Sequence, residues 1–276
     1  MSQIRFQASQ GSMGAYVSDI PAFPGRQFSM GYPEAIGDAA HTCWPPAFTP
    51  EWQESDMGVW TCSARKEGEV SYRMLVMPYE DAVETRFKVT NESNRTWKQG
   101  LAFNCFQCGG VPEIRDHECL RHWVRAAGEF KRLIELPRVF SPRPTVQLYS
   151  VVGAPPGKDI PFVAGFKATP DVVLEGWMAI QSRDGKRLVA TASKPALFLF
   201  QNMEYSCIHS ATGFGPLKPG ESAEAVNRVY FVESSIEAWH KRMESDFGVQ
   251  GGNDSRPTKK RRPGVGEDTR PEEGKG

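Results

Sequence analysis

The sequence predicts an all-β protein, a large antiparallel sandwich of two sheets with an irregular N-terminal arm and one C-terminal helix. The first observation is alternation: residues 71–77 and 82–91 have a period of two, which places Val83, Phe87 and Val89 on one face. The second is an abundance of chain-reversing residues, with 26 Gly and 21 Pro. Reversals are predicted at 91–94, 183–185 and 218–220.

Further strands are predicted between these reversals, giving about eight to twelve in all with one helix, which is typical of a sandwich. They cover residues 100–107, 145–152, 172–182, 186–193, 196–200 and 223–232. The helix, residues 235–247, follows a serine at 234 and a glutamate at 237 that match a capping box. Its buried stripe is expected to comprise Ile236, Trp239, Met243 and Phe247.

Three regions follow from this pattern. Residues 1–58 are rich in Gly, Pro and scattered aromatics without a sustained period, and we expect an irregular arm packed on the sandwich. Residues 59–250 form the sandwich domain with its C-terminal helix. Residues 251–276 are mostly Gly, Pro and charged residues, with Val265 as the one large apolar side chain, so a disordered charged tail is expected.

Charge and composition exclude several functional classes. The 33 basic and 33 acidic residues balance, which argues against nucleic acid as a partner. No apolar run is long enough to cross a bilayer, and the first ten residues lack the pattern of a secretory signal. We therefore expect a cytoplasmic protein with no membrane partner and reduced cysteines. Phosphate-binding glycine loops and serine-hydrolase motifs are missing from the sequence.

Two segments carry a family resemblance. Residues 83–97 have the form of a strand, a polar turn and a return led by Trp97, and residues 213–231 that of a Leu-x-Pro-Gly-Glu turn followed by an alternating strand. The pair resembles the galactose-mutarotase-like super-sandwich of sugar epimerases and some polysaccharide lyases. It is also similar to bacterial sandwich proteins with the segment Cys207-Ile-His-Ser210 before such a turn. This resemblance implies a saccharide ligand. Mutarotases use a histidine acid and a glutamate base, but no complete signature assigns those roles here.

The candidate catalytic residues are His122, His209 and Glu204. His209 and Glu204 fall between a predicted strand and a turn, at the end of a sheet where functional side chains are expected. A histidine and a carboxylate that meet on one face provide an acid and a base for chemistry at a sugar carbon. The residues expected to bind substrate are Arg121, Trp123, His117, Arg125 and Tyr205.

The segment 115–143 holds seven basic residues against four acidic ones, with Trp123 and Phe130 interleaved. Guanidinium groups and an aromatic ring together suit a carboxylated or sulfated sugar. The alternative is a solvated loop. Each histidine taken singly also has an alternative, a structural hydrogen bond.

A zinc site is a further hypothesis. Cys105, Cys108, Cys119 and His122 have the spacing Cys-x2-Cys-x10-Cys-x2-His, and zinc takes such ligands in a tetrahedron. Against it, a strand through 101–107 would send the first two thiols to opposite faces. Buried unpaired cysteines and a redox role are the alternatives, and no other cofactor is expected.

The sequence thus predicts a carbohydrate-binding β-sandwich, acting as a mutarotase-like epimerase or a lyase through His/Glu acid–base chemistry on a neutral or acidic saccharide. The alternative is a non-catalytic interaction or structural module, in one version stabilised by zinc. Nothing in the sequence determines the oligomeric state.

Overall fold

The computed structural model describes residues 4–43, 47–139, 143–162 and 166–248. The tail predicted at 251–276 lies outside the described residues. The strands are β1 (Arg5–Ala8), β2 (Gly14–Ser18), β3 (Phe28–Asp38), β4 (Glu51–Glu54), β5 (Trp60–Lys66), β6 (Val70–Pro78), β7 (Ala82–Asn91), β8 (Trp97–Gln107), β9 (His122–Ala126), β10 (Glu129–Arg132), β11 (Val146–Val151), β12 (Ala168–Leu174), β13 (Trp177–Gln181), β14 (Arg187–Lys194), β15 (Ala196–Asn202), β16 (Cys207–Leu217) and β17 (Ser222–Glu233). The helix α1 spans Ile236–Gly248.

These strands form one continuous sheet that folds into two facing halves. The first half has the order β1-β2-β3-β8-β16-β15-β11-β12. The second has the order β4-β5-β6-β7-β17-β14-β13-β9-β10. The halves join at one edge, where Leu174 of β12 pairs with Ala126 of β9. Within the described residues β11–β12 is the parallel pair and the other pairs are antiparallel, which confirms the predicted all-β sandwich.

Aromatic side chains hold the two halves together. Phe28 of β3 and Phe106 of β8 lie 5.5 Å apart between ring centroids. Phe231 of β17, in the opposite half, contacts both rings, at 5.1 Å from Phe28 and 5.5 Å from Phe106. A polar contact joins the halves nearby, since the Tyr32 hydroxyl lies 3.0 Å from Asn227 Oδ1. The main core therefore lies between the halves and leaves the outer face of each free for other packing.

The N-terminal segment differs from its prediction as an irregular arm. It contributes four strands, and β3 lies inside the first half, paired with β2 on one side and β8 on the other. The strand shows no clean alternation because both of its faces are covered along much of its length. Its register with β8 also shifts between Gly31 and Ala35, around Pro33, which has no N–H to donate.

Helix α1 covers the outer face of the second half. Trp239 packs against Trp177 of β13 and Tyr230 of β17, with centroid distances of 5.1 Å and 5.5 Å. The predicted stripe is confirmed, since Ile236, Trp239, Met243 and Phe247 are all buried. The cap differs by one residue from the prediction, because the Ser235 hydroxyl accepts the hydrogen bond from the Ala238 N–H. No helix among the described residues is long and apolar enough to span a membrane.

Replacing Phe231 with alanine should lower the free energy of unfolding by about 3–5 kcal/mol, because the ring bridges the two halves and its loss leaves a cavity. Urea denaturation followed by tryptophan fluorescence measures this change. The control is Glu224→Ala, an exposed position on the same strand, which should leave the midpoint almost unchanged. Equal effects of the two substitutions would contradict this account of the core.

Candidate functional site

A cavity of about 220 Å³ lies on the outer face of the first half. Its lining combines four aromatic rings with charged, amide, imidazole and thiol side chains. The residues that line it are Glu34, Phe103, Cys105, Gln107, Arg143, Val146, Phe166, Phe200, Asn202, Tyr205, Cys207 and His209. An apolar cavity with a few converging polar groups is the usual form of a small-molecule site.

Strand register places the reactive side chains in this cavity. Cys207 pairs with Gln107 and Ile208 with Phe106, so Cys105 lies opposite His209 along the same antiparallel ladder. Because side chains alternate across a strand, Phe106 and Ile208 enter the core while their neighbours face the cavity.

Glu34 reaches the cavity from β3, on the other side of β8. It lies in the stretch where the β3–β8 register shifts, between the pairs Gly31–Cys105 and Ala35–Phe103. Bulges of this kind re-aim side chains. The carboxylate remains 38% exposed and faces His209 of β16 across the intervening strand β8.

His209 is the most constrained side chain of the cavity. It is 2% exposed, and its ring is stacked on Phe103 at 4.5 Å with an angle of 7° between the planes. Nδ1 lies 2.9 Å from the Phe200 carbonyl oxygen, which can only accept, so Nδ1 carries a proton. Nε2 therefore presents its lone pair when the ring is neutral, and it lies 3.8 Å from Glu34 Oε2.

Burial raises the pKa of Glu34 above its usual value, and a hydrogen bond with Cys105 partly offsets that effect. A hydrogen bond with Cys207 is the larger cause that holds the pKa of the Cys105 thiol well above its usual value, and burial adds to it. The cavity therefore disfavours isolated negative charge on these two groups.

Of the other predicted residues, Tyr205 lines the cavity, whereas Glu204 and His117 lie beside it. Glu204 accepts hydrogen bonds from Arg143 and from the Thr145 hydroxyl, the latter at 2.9 Å. Tyr205 is 56% exposed and separates the cavity from a second depression that His117 and Glu204 also line. His117 Nδ1 lies 2.6 Å from the Met203 carbonyl oxygen. The loop that carries His117 thus meets the segment that carries His209.

His122 lies elsewhere and does not suit the catalytic role predicted for it. Its side chain has no exposure to solvent, and Nδ1 is bound to Asp116 Oδ2 at 2.8 Å. The Asp116 carboxylate also accepts from the Leu120 and Arg121 N–H groups, at 3.3 Å and 2.7 Å. These hydrogen bonds hold together the loop between β8 and β9, and His122 does not line the cavity.

Three predicted substrate-binding residues also lie away from the cavity. Arg121 donates to the carbonyl oxygens of Glu113, Gln181 and Arg115 and so ties the loop to β13. Trp123 donates to Gln181 Oε1 at 3.2 Å. Arg125 binds Glu175 at 3.0 Å and lies over the Phe130 ring. Trp123 and Arg125 belong to β9, in the second half of the sheet. Their spacing in the sequence does not reveal that the chain carries them away from the cavity.

The predicted zinc ligands Cys105, Cys108, Cys119 and His122 are not brought together. Cys105 faces the cavity, whereas Cys108 and Cys119 belong to the core between the halves. The strand alternation that argued against this set explains the separation. Among the described residues, the metal-binding types whose ligand atoms do approach one another are Cys105, Cys207 and His209, all within 4.8 Å.

Several residues of the cavity were not predicted from the sequence as site residues. Glu34 lies in a segment interpreted as irregular, and its approach depends on a register shift whose extent the sequence does not specify. Phe103 and Phe200 were predicted only as residues within strands. Cys207 gave a signal, since it begins the Cys-Ile-His-Ser segment that carried the resemblance.

Comparison with known proteins gives similarity at the level of solved structures. No family model matches the chain. No curated protein matches it either. A galactose mutarotase-like protein from Lactobacillus casei is 12% identical with a TM-score of 0.47, covering 84% of this chain and 98% of that one. A galactose mutarotase related enzyme from Lactobacillus acidophilus is 10% identical with a TM-score of 0.41, at the same coverages of 84% and 98%. A galactose mutarotase-like protein from Clostridium acetobutylicum is 12% identical with a TM-score of 0.35, covering 68% and 67%.

The buried His122–Asp116 pair predicts a pH-dependent stability. Complete burial lowers the His122 pKa below its usual 6.5, with the charges of Arg138 and Arg121 acting in the same direction and Asp116 opposing them. As pH falls below 6.5, the unfolded chain binds a proton that the folded chain resists, so the free energy of unfolding decreases. One such group contributes up to about 1.4 kcal/mol per pH unit.

Urea titrations between pH 8 and pH 5 measure this slope. His122→Gln removes the titrating group and should flatten the dependence, whereas His41→Gln, at an exposed position, should leave the slope as in the wild type. An unaltered slope in His122→Gln would be inconsistent with a neutral buried imidazole.

Proposed function

We propose that the cavity binds one sugar ring and that His209 and Glu34 catalyse interconversion at its anomeric carbon. The observation that supports this proposal is the pair itself. Nε2 of His209 and Oε2 of Glu34 lie 3.8 Å apart and line the same cavity, so an acid and a base reach one small ligand. This replaces Glu204 with Glu34 as the carboxylate partner, because Glu204 is engaged by Arg143 and Thr145 at the rim.

The lining suits a saccharide of limited size. A volume of about 220 Å³ is below the roughly 300–1,000 Å³ of sites for drug-sized ligands, so it accommodates about one ring. Phe166 and Tyr205 offer aromatic surface against which the apolar face of a pyranose can stack. Gln107, Asn202 and Arg143 offer hydrogen bonds for hydroxyl groups.

The proposed reaction uses one proton acceptor and one proton donor. His209 Nε2 accepts the proton of the anomeric hydroxyl, Glu34 donates a proton to the ring oxygen, and the bond between C1 and the ring oxygen breaks. The open-chain aldehyde turns about the C1–C2 bond. Ring closure then reverses both proton transfers and returns His209 and Glu34 to their starting forms with the opposite anomer. The Phe200 carbonyl keeps the Nδ1 proton in place throughout.

Polarimetry and NMR magnetisation exchange on freshly dissolved α-D-galactose and α-D-glucose test the activity. The wild type should accelerate anomer exchange, and His209→Asn and Glu34→Gln should each reduce kcat by roughly 10²–10⁴-fold. His41→Asn and Glu224→Gln are matched controls at exposed positions and should retain full activity. Sugar binding without any acceleration by the wild type would favour the non-catalytic module.

The ion pair between Arg143 and Glu204 predicts how the protein binds acidic sugars. Arg143 lines the cavity, but its guanidinium is paired with Glu204. Glu204→Gln removes the competing carboxylate and should increase affinity for a uronic acid by up to about fivefold, the scale of an exposed ion pair. Calorimetry with galacturonate and galactose measures the difference. Galactose should bind equally to the wild type and to Glu204→Gln, and Arg143→Gln should lose any preference for galacturonate. A galacturonate affinity that is unchanged by both substitutions would rule out this contact.

A further inference from the structure

We infer that Cys105, Cys207, His209 and Glu34 form a binding site for a divalent metal ion of borderline softness, with Zn²⁺ as the best match. This site differs from the Cys-x2-Cys set predicted from spacing and shares only Cys105 with it. The inference does not depend on saccharide chemistry.

The distances fit tetrahedral zinc. A Zn–S bond of about 2.3 Å implies about 3.8 Å between two sulfur ligands at the tetrahedral angle. The Sγ atoms of Cys105 and Cys207 are 3.6 Å apart. His209 completes a group whose ligand atoms all lie within 4.8 Å of one another. The Sγ–Sγ separation is thus close to that of two ligands on one tetrahedral ion.

The histidine is already oriented as a ligand. Histidines that bind metals almost always donate their other ring N–H to a carbonyl or carboxylate, which sets the tautomer and the direction of the lone pair. His209 does so through Nδ1, which donates to the Phe200 carbonyl at 2.9 Å. The stacking of its ring on Phe103 prevents it from turning away.

Glu34 supplies the fourth position. Its Oε2 lies 3.8 Å from His209 Nε2, on the open side of the cavity, while the two cysteines and the histidine are at most 4% exposed. Two thiolates and an imidazole favour zinc over magnesium or calcium, which prefer oxygen ligands. A fourth oxygen donor favours tetrahedral zinc over copper(I), for which soft ligands are preferred.

Metal binding and the proposed proton transfer exclude each other, because both use the lone pair of His209 Nε2. If the proposed function holds, zinc is therefore an inhibitor of it. The metal experiment itself contains no sugar, so its outcome and that of the anomer-exchange assay are independent.

Cobalt(II) serves as the spectroscopic probe, added to the full-length, metal-free protein under a non-thiol reductant. A thiolate-to-cobalt charge-transfer band should appear, saturate at one equivalent and be lost when Zn²⁺ is added. Cys105→Ser, Cys207→Ser and His209→Asn should each abolish or strongly weaken the band. Cys108→Ser is the matched control, since Cys108 directly follows β8 and belongs to the core between the halves, and this variant should keep the full band.

The absence of a band in the wild type, or its persistence in Cys207→Ser, would overturn the inference. Circular dichroism establishes that each variant is folded. X-ray absorption on the zinc-loaded wild type provides a test without variants, because this site requires two sulfur and two nitrogen or oxygen ligands. A coordination shell of oxygen and nitrogen alone would refute it.

Discussion

The antiparallel pairing of β16 with β8 is the constraint on which the cavity depends. It sets Cys105 opposite His209 and sends Phe106 and Ile208 into the core. A slip of one residue would reverse the faces of the shifted strand, moving its cavity-facing side chains into the core between the halves and its core side chains to the outer face. The register is held in place by that penalty, because Phe106 contacts Phe28 on the neighbouring strand and Phe231 on the facing half. Packing on one face of the sheet therefore determines the chemistry on the other.

His209 illustrates how a single side chain acquires a defined chemistry. One nitrogen is committed to a backbone carbonyl of β15, and the ring is held against Phe103 of β8. Only Nε2 is left, and it points toward a carboxylate and two thiols. The same geometry underlies both proposals, proton transfer with a bound sugar and coordination of a metal ion of borderline softness.

The buried cluster around Asp116 supports this arrangement from a distance. Its carboxylate organises the loop between β8 and β9, and its N–H donates to the Ser206 hydroxyl at 2.9 Å. Ser206 lies in the turn directly before β16, so the loop is bound to the segment that carries Glu204 and Tyr205. The rim of the cavity is therefore a product of two loops that hold each other. His122 contributes as a partner of Asp116 inside the protein.

Local properties of the sequence were sufficient to predict the fold class, the helix with its buried stripe and the alternation of buried and exposed side chains in many strands. Alternation, turn residues and helical spacing are set by near neighbours, and they appear in the sequence wherever one face is buried and the other is not. Cys105 and Cys108 were correctly expected on opposite faces for the same reason. β3 and Glu34 were missed because a strand covered on both faces and interrupted by a register shift has no period to detect. Likewise, spacing grouped Arg121, Trp123 and Arg125 with the site, although the chain carries them to the other half of the sheet. Only tertiary structure decides which distant strands become neighbours, because that choice depends on the packing of both sheet faces at once.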